Sequence, residues 1–519
     1  MPIRRPLVAR LFVAAVLLGL WVPAAWCVER RAAYLAALES ISADKLQRHV
    51  KYLASDDLEG REAGTRGGHA AGDYVERRLA ALGLRGAATD GGYFQAFSPN
   101  FRNVLAALEG SDAKGRGDVI VVGAHYDHIG RGQQGNTRGQ LGAIHPGADD
   151  NASGTSGLLE LAHALTILAE PPRRTVLFAF WDAEEKGMLG SKHWTAHPTI
   201  ALSRVRLLVN VDMIGRLRDE RLLVFGTRSG VGLRRLLSTH NDSPALRLEF
   251  PWTMLPNADH FPFFSHGIPF ITLHTDLHDQ YHKPSDKAEL IQSAGMRRVV
   301  RLLFSLIYDA ANAEQVPAFR AASQHESEET RRNLAQQAPQ LPERLGASLE
   351  KASPAERGIR LASVSPASPA SRADLRPGDR ILQFAGRQIG SSDDLIGAIQ
   401  TAPIQTTALV LRSGESTPAP WKITLDGEPL RIGIAWRVDD AEPGTAIVSY
   451  VVSGSPAARA GLRIDDRIYQ AGGHGFTSEA EFSRLMGTLP GPIRIRFERN
   501  GQVQDAELQL DPPRLRRAA

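Results

Sequence analysis

Five short runs of branched apolar residues recur along the first part of the chain: "DVIVVGAH", "RTVLFAF", "VRLLVNVD", "RLLVFGT" and "IPFITLH". Runs that stay apolar without alternating suit strands buried on both faces. Stretches with helical periodicity stand before and between them, including "GGHAAGDYVERRLAALGL" and "SGTSGLLELAHALTIL". A further apolar helix, "AGMRRVVRLLFSLIYDA", follows the last run. Alternation of this kind from Ser42 to Ala313 predicts an α/β unit, a mostly parallel central sheet with helices on both faces. Ligands of such sheets sit beyond the carboxyl ends of the strands, so the residues there carry the functional question.

The chain of 519 residues is too long for one domain and suggests about three. Residues 1–27 read as an export signal. Arg4, Arg5 and Arg10 precede the apolar run Leu11 to Val22, and the small residues Ala24 and Ala25 follow. The run is short for a membrane span, so no stable span is expected, and an uncleaved anchor is the alternative. Export to a periplasmic or secreted location follows from the signal. Cys27 is the only cysteine, which excludes an intrachain disulfide and a cysteine zinc site. The chain holds 61 basic and 57 acidic residues, and without the three arginines of 1–27 the basic count falls to 58. With a nearly neutral mature chain and only "RLRR" near the C-terminus, nucleic acid is not an expected partner.

Residues 28–313 form the first expected domain and the polar residues 314–340 a linker. Beyond it, "SPASRADLRPGDRI" from Ser368 matches "SPAARAGLRIDDRI" from Ser455 at an offset of 87 residues. A duplicated unit of that length is a small domain, which gives 341–426 and 427–511 as two copies and 512–519 as a basic tail. The motif resembles PDZ domains of the type found in bacterial exported proteases. The resemblance implies two small, mainly β domains that bind peptides or protein partners.

Polar residues gather at the strand ends. "GAHYDH" holds His125 and Asp127, "ADDNASG" holds Asp150, "WDAEEKG" holds Glu184 and Glu185, "NVDMIG" holds Asp212, and "DQYHKPSD" holds Tyr281 and His282. Each alone has a structural explanation, such as a helix N-cap. Together they supply imidazole and carboxylate without sulfur, the ligand set of a pair of zinc-like ions. Adjacent cations also explain how Glu184 and Glu185 tolerate each other, because metal charge dominates local electrostatics.

These motifs, in this order over residues 42–313, resemble the zinc aminopeptidase family typified by bacterial exported leucyl aminopeptidases. That family also includes glutamate carboxypeptidases and glutaminyl cyclases. The resemblance implies two Zn2+ ions, with Co2+ or Mn2+ as substitutes. It implies His125, Asp150, Glu185, Asp212 and His282 as ligands, Asp150 bridging. Glu184 would be the general base, Asp127 the carboxylate that orients His125, and Tyr281 a donor to the oxyanion. Asp259 in "NADHFPFF" would line the substrate pocket. The implied reaction is hydrolysis of the N-terminal peptide bond of peptides with a free N-terminus. Carboxypeptidase specificity, glutaminyl cyclisation and a decayed scaffold that only binds are the alternatives. Asp149, Asp182, His128, His145, His274 and His278 are read as structural.

Overall fold

A computed structural model describes residues 24–132, 134–241, 245–336, 341–350 and 357–510. The first 23 residues of the expected signal and the expected tail 512–519 lie outside them. Among the described residues no helix is long and apolar enough to cross a membrane. The chain divides into two compact units. One runs up to Gly226 and resumes over Met254–Phe319, and the other comprises Thr227–Thr253 and the chain from Arg320 onward.

In the first unit the strands Thr175–Trp181, Val119–His125, Val205–Val211 and Phe270–His274 lie side by side in that order and run parallel. Antiparallel strands flank them, Phe101–Leu108 beside Thr175–Trp181 and Arg221–Phe225 beside Phe270–His274. The sheet is therefore mixed, with a parallel centre. Every residue of Val119–His125 and of Thr175–Trp181 is buried, as apolar runs without alternation require. On one face Val119, Val121, Leu177 and Trp181 share a cluster with Trp194 of the helix Leu189–Ala196 and Phe263 of the helix His260–Ser265. Ile120 and Val122, one residue out of step, point the other way, where the helices Gly154–Thr166 and Ser293–Asn312 pack. Helices cover both faces, and the parallel strands deliver their carboxyl ends to one rim.

The second unit holds two antiparallel sheets. In the first sheet the path runs Ala347–Leu349, Ile359–Val364, Arg380–Phe384, Gln405–Leu411, Ala419–Thr424. In the second it runs Ile434–Arg437, Ala446–Val451, Arg467–Ala471, Ile493–Arg499, Gln502–Leu508. The repeated motif has a local explanation. Ser368 and Ser455 cap short helices by accepting the N–H of Ser371 and Ala458, each at 3.2 Å. Asp379 and Asp466 close the following turn by accepting the N–H of Arg376 at 2.9 Å and of Arg463 at 2.7 Å.

Residues Thr227–Thr253, which the sequence reading keeps within 28–313, group instead with the second unit. Arg228 donates to Glu326 and to Asp439, each at 2.7 Å, and Arg234 donates to Glu498 at 2.9 Å. The N–H of Gly232 donates to Ala441 O and that of Leu248 to Asn500 O. Burial alone would raise the carboxyls of Glu326, Asp439 and Glu498, but the arginines beside them hold all three below their ordinary values. Lowered carboxyls contribute stability that is complete above their ordinary values, 4.5 for glutamate and 3.8 for aspartate, and lost as pH falls through the lowered ones. Thermal melts between pH 6 and 2 should therefore show the transition falling below about pH 4. Variants Glu498→Gln and Asp439→Asn should flatten that fall.

Candidate metal centre

His125 is the last residue of its strand, and Asp212 directly follows Val205–Val211. Asp150 lies in the turn of Ala148–Ser153 that opens the helix Gly154–Thr166, and Glu184 and Glu185 follow Thr175–Trp181. His282 lies in the loop after Phe270–His274. The rim thus collects these residues from every strand of the parallel centre.

The two oxygens of Asp150 face different imidazoles. Oδ1 is 3.3 Å from His125 Nε2, which is 3.4 Å from Asp212 Oδ1. Oδ2 is 3.1 Å from His282 Nε2, which is 3.3 Å from Glu185 Oε2. Two nests of nitrogen and oxygen donors therefore share one carboxylate. Surrounding bonds fix its place. Asp286 Oδ2 accepts the N–H of Asp149 and of Asp150, at 2.9 and 3.2 Å. Asn151 reaches across to the end of the neighbouring strand, donating to Val211 O and accepting from Met213 N–H.

The electrostatics identify what the nests want. Burial works against a charged imidazole at His125, yet Asp127, Asp150 and Asp212 hold its proton affinity well above the ordinary value. His282 is likewise driven up to about 11, against burial, by Asp150 and Glu185. Buried imidazoles forced to take protons mark a site with surplus negative charge. Asp212 Oδ1 is buried there without a hydrogen-bond partner. Divalent cations offset such charge directly, and imidazole nitrogen with carboxylate oxygen is the donor set zinc prefers. The residues fit a pair of such ions. His125, Asp150 and Asp212 form one group close enough to hold an ion, and His128, Asp150 and Glu185 form another.

Glu184 stands at the same rim. Burial pushes its carboxyl well above the ordinary range, His125 opposes this, and Asp259, Glu185 and Asp212 add to it. Asp127 does more than neighbour His125. Its carboxylate accepts the N–H of Glu184 at 3.0 Å and of Glu185 at 3.3 Å, so it sets the peptide that carries both glutamates. Its Oδ1 is 3.7 Å from His125 Nδ1, while the backbone O of Asp127 is closer at 3.3 Å. Asp259 is buried, accepts from Ser191 Oγ at 2.6 Å, and is raised to about 7 by burial and nearby carboxylates. The Tyr281 ring stacks on His282 at 3.9 Å, and burial with the surrounding carboxylates keeps its hydroxyl protonated. Among the residues read as structural, Asp149 accepts the N–H of Gly215 and faces His278. Asp182 accepts the N–H of Arg102 and of Ala183.

Two residues of the centre were not singled out as functional from sequence. His128 Nδ1 lies 2.8 Å from Glu185 Oε1, holding the carboxylate whose other oxygen faces His282. The available signal was a third polar residue at the end of one strand, in "HYDH". Arg61 is fully buried and donates to four backbone carbonyls: Leu53, Tyr126, Pro146 and Gly147. It ties the loop leading to Asp150 to the peptide between His125 and Asp127. Burial lowers its proton affinity to about 10, and Asp150, Asp127, Asp286 and Glu185 resist the change.

The sequence is similar to known families and proteins. Residues 103–307 match the model of Peptidase family M28, and residues 360–413 and 447–499 match the PDZ domain. Aminopeptidase YwaD of Bacillus subtilis is 27% identical over 210 residues, 38% of this chain and 43% of that protein. Leupeptin-inactivating enzyme 1 of Streptomyces exfoliatus is 26% identical over 280 residues, 51% of this chain and 57% of that protein. The chain thus spans about half the length of these curated relatives, 43% and 57%. The solved Legionella pneumophila LapA aminopeptidase aligns over 55% of this chain and 76% of its own, at 22% identity and a TM-score of 0.45. The chain thus carries, beside its nests of imidazole and carboxylate at the rim of a parallel sheet, a Peptidase family M28 domain over residues 103–307, followed by two PDZ domains.

Proposed function

We propose that this chain is an exported, zinc-dependent aminopeptidase that hydrolyses the N-terminal bond of peptides, with PDZ domains that bind peptide or partner segments. The observation that carries this reading is the shared carboxylate of Asp150, with His125 and Asp212 on one side and Glu185 and His282 on the other. In this reading these five residues hold two Zn2+ ions. Held there, the ions would supply Lewis acidity and would lower the pKa of water towards neutrality.

The chain's own groups do the rest. Glu184 takes a proton from the attacking water and delivers it to the leaving amine, a role suited to a carboxyl raised by burial. Tyr281, held protonated, donates to the developing oxyanion. Asp127 fixes the Glu184 and Glu185 amides, and Asp259 lines the substrate side. In the same reading the peptidase domain lies within 28–313 apart from Thr227–Thr253, the PDZ domains span 341–426 and 427–511, residues 1–27 are a cleavable signal, and the destination is periplasmic or secreted.

Elemental analysis of the purified chain, paired with cleavage of a small dipeptide panel, tests the reading. Two equivalents of zinc with release of the first residue support it, and neither metal nor turnover rejects it. Because both nests share Asp150, Asp150→Ala should lose most of its metal as well as nearly all activity. An Asp150→Ala chain with full metal content would remove the shared-carboxylate assignment.

A further inference from the structure

The second unit contains a cleft of about 620 Å³, a size within the range of ligand pockets. Six arginines line it, Arg234, Arg331, Arg437, Arg463, Arg467 and Arg499, against three carboxylates, those of Glu249, Asp465 and Asp466. Several arginines are already held: Arg234 by Glu498 at 2.9 Å, Arg467 by Glu442 at 2.8 Å and Arg499 by Asp466 at 2.7 Å. Two are not. Arg437 makes one ion pair among the described residues, at 3.8 Å to Asp439, and that carboxylate is already taken by Arg228 at 2.7 Å. Arg463 makes none among the described residues, and its backbone N–H is engaged by Asp466. Burial, followed by the charge of Arg467, holds the Arg437 guanidinium below its ordinary proton affinity, although Asp439, Asp465 and Glu442 act the other way. A partly buried cation pressed by another cation is a place for an incoming anion.

Two further features say what kind of anion. The cleft also has an apolar wall, with Phe250, Trp252 and the 59% exposed Ile464. Arg437 is moreover the last residue of Ile434–Arg437 and the one residue of that strand lining the cleft; among the described residues this edge strand pairs only with Ala446–Val451, so a chain added along it ends at the cleft. An edge strand accepts an extended chain by main-chain hydrogen bonds. A small dicarboxylate would use the arginines and leave both the edge and the apolar wall unused.

We propose that this cleft binds an acidic peptide segment, laid along the Ile434–Arg437 edge with its carboxylate side chains on Arg437 and Arg463. The proposal rests on the reading of the PDZ domains as peptide binders and gives the second one its selectivity. Negative charge near one end of the added strand is the feature it selects, and the apolar wall takes a neighbouring side chain.

The experiment uses the full-length protein and peptides carrying a fluorophore on the N-terminus, which also blocks aminopeptidase cleavage. A segment combining Glu and Asp with one large apolar residue is compared with its Gln and Asn counterpart by anisotropy at low and at physiological salt. The acidic peptide should bind about tenfold tighter, with an advantage that shrinks as salt rises. Arg437→Gln and Arg463→Gln should each reduce that advantage, and the double charge reversal to Glu should shift preference to a Lys-containing peptide. Cleavage of a small aminoacyl substrate should stay unchanged in every variant, which also reports that the chains are folded. Equal binding of acidic and neutral peptides overturns the charge selectivity while leaving peptide binding in place. Failure of every peptide to bind overturns the peptide-binding reading as well. Displacement of the acidic peptide by an equal concentration of free glutarate overturns the assignment to a peptide.

Discussion

Glu184→Gln is expected to keep its metal and lose about a hundred- to ten-thousand-fold in kcat, the range for removal of a general base. The substitution preserves size and leaves the Glu184 amide on Asp127, so the peptide that carries Glu185 stays where it is. What disappears is a group able to accept a proton, since a neutral amide does not. Burial raises the Glu184 carboxyl. A base must be ionised to act, so turnover of the unaltered chain should fall on the acid side as Glu184 takes up a proton. The variant should lack this acid limb. Metal content and kcat measured on the same preparation, with an aminoacyl chromogenic substrate, decide the matter. A Gln variant with near-normal kcat would assign the base to another residue.

Arg61→Met should destabilise the chain by about 3–5 kcal/mol, the range for breaking a buried charged network. The guanidinium is fully buried, and its hydrogen bonds go to carbonyl oxygens rather than to a carboxylate. Methionine fills much of the space but takes the donor from the carbonyls of Leu53, Tyr126 and Pro146, each costing about 1–3 kcal/mol if water cannot reach it, while Gly147 O keeps the N–H of Ala152. Arg61→Lys should recover only part of the loss, because an ammonium lacks the planar fork that reaches several carbonyls at once. Urea unfolding followed by far-ultraviolet circular dichroism gives the difference. A methionine variant within about 1 kcal/mol of the unaltered chain would show that Arg61 is not what holds the Pro146–Gly147 loop.

The parallel strands were legible because burial on both faces writes itself into sequence as unbroken apolar runs. The strand-end acids and imidazoles stood out for the same reason: a polar residue directly after such a run needs an explanation. Phe101–Leu108 was harder to see. "FRNVLAAL" carries Asn103 and a closing run of two leucines and two alanines that suits a helix as well as a strand, and its pairing with Thr175–Trp181 comes from far along the chain. Arg61 left no trace of another kind. Its partners are backbone carbonyls, which every residue possesses, so no spacing of side chains announces it. His128 was visible but ambiguous, because position alone does not tell a histidine that holds Glu185 from one that merely fills a strand end. The allegiance of Thr227–Thr253 was hidden too, since its arginines find their acids about a hundred to nearly three hundred residues later.

That allegiance bears on any attempt to dissect the molecule. Because the chain departs at Gly226, contributes Thr227–Thr253 to the other unit and comes back at Met254, truncation after Phe319 keeps that segment while removing the unit it packs in. It strands a loop whose cations have lost their counter-ions and whose Asn241 and Leu248 have lost their backbone partners at Gly501 and Asn500. The second PDZ domain is thus bonded to a segment borrowed from the peptidase half of the sequence, and trimming it away leaves buried polar groups of that segment unanswered.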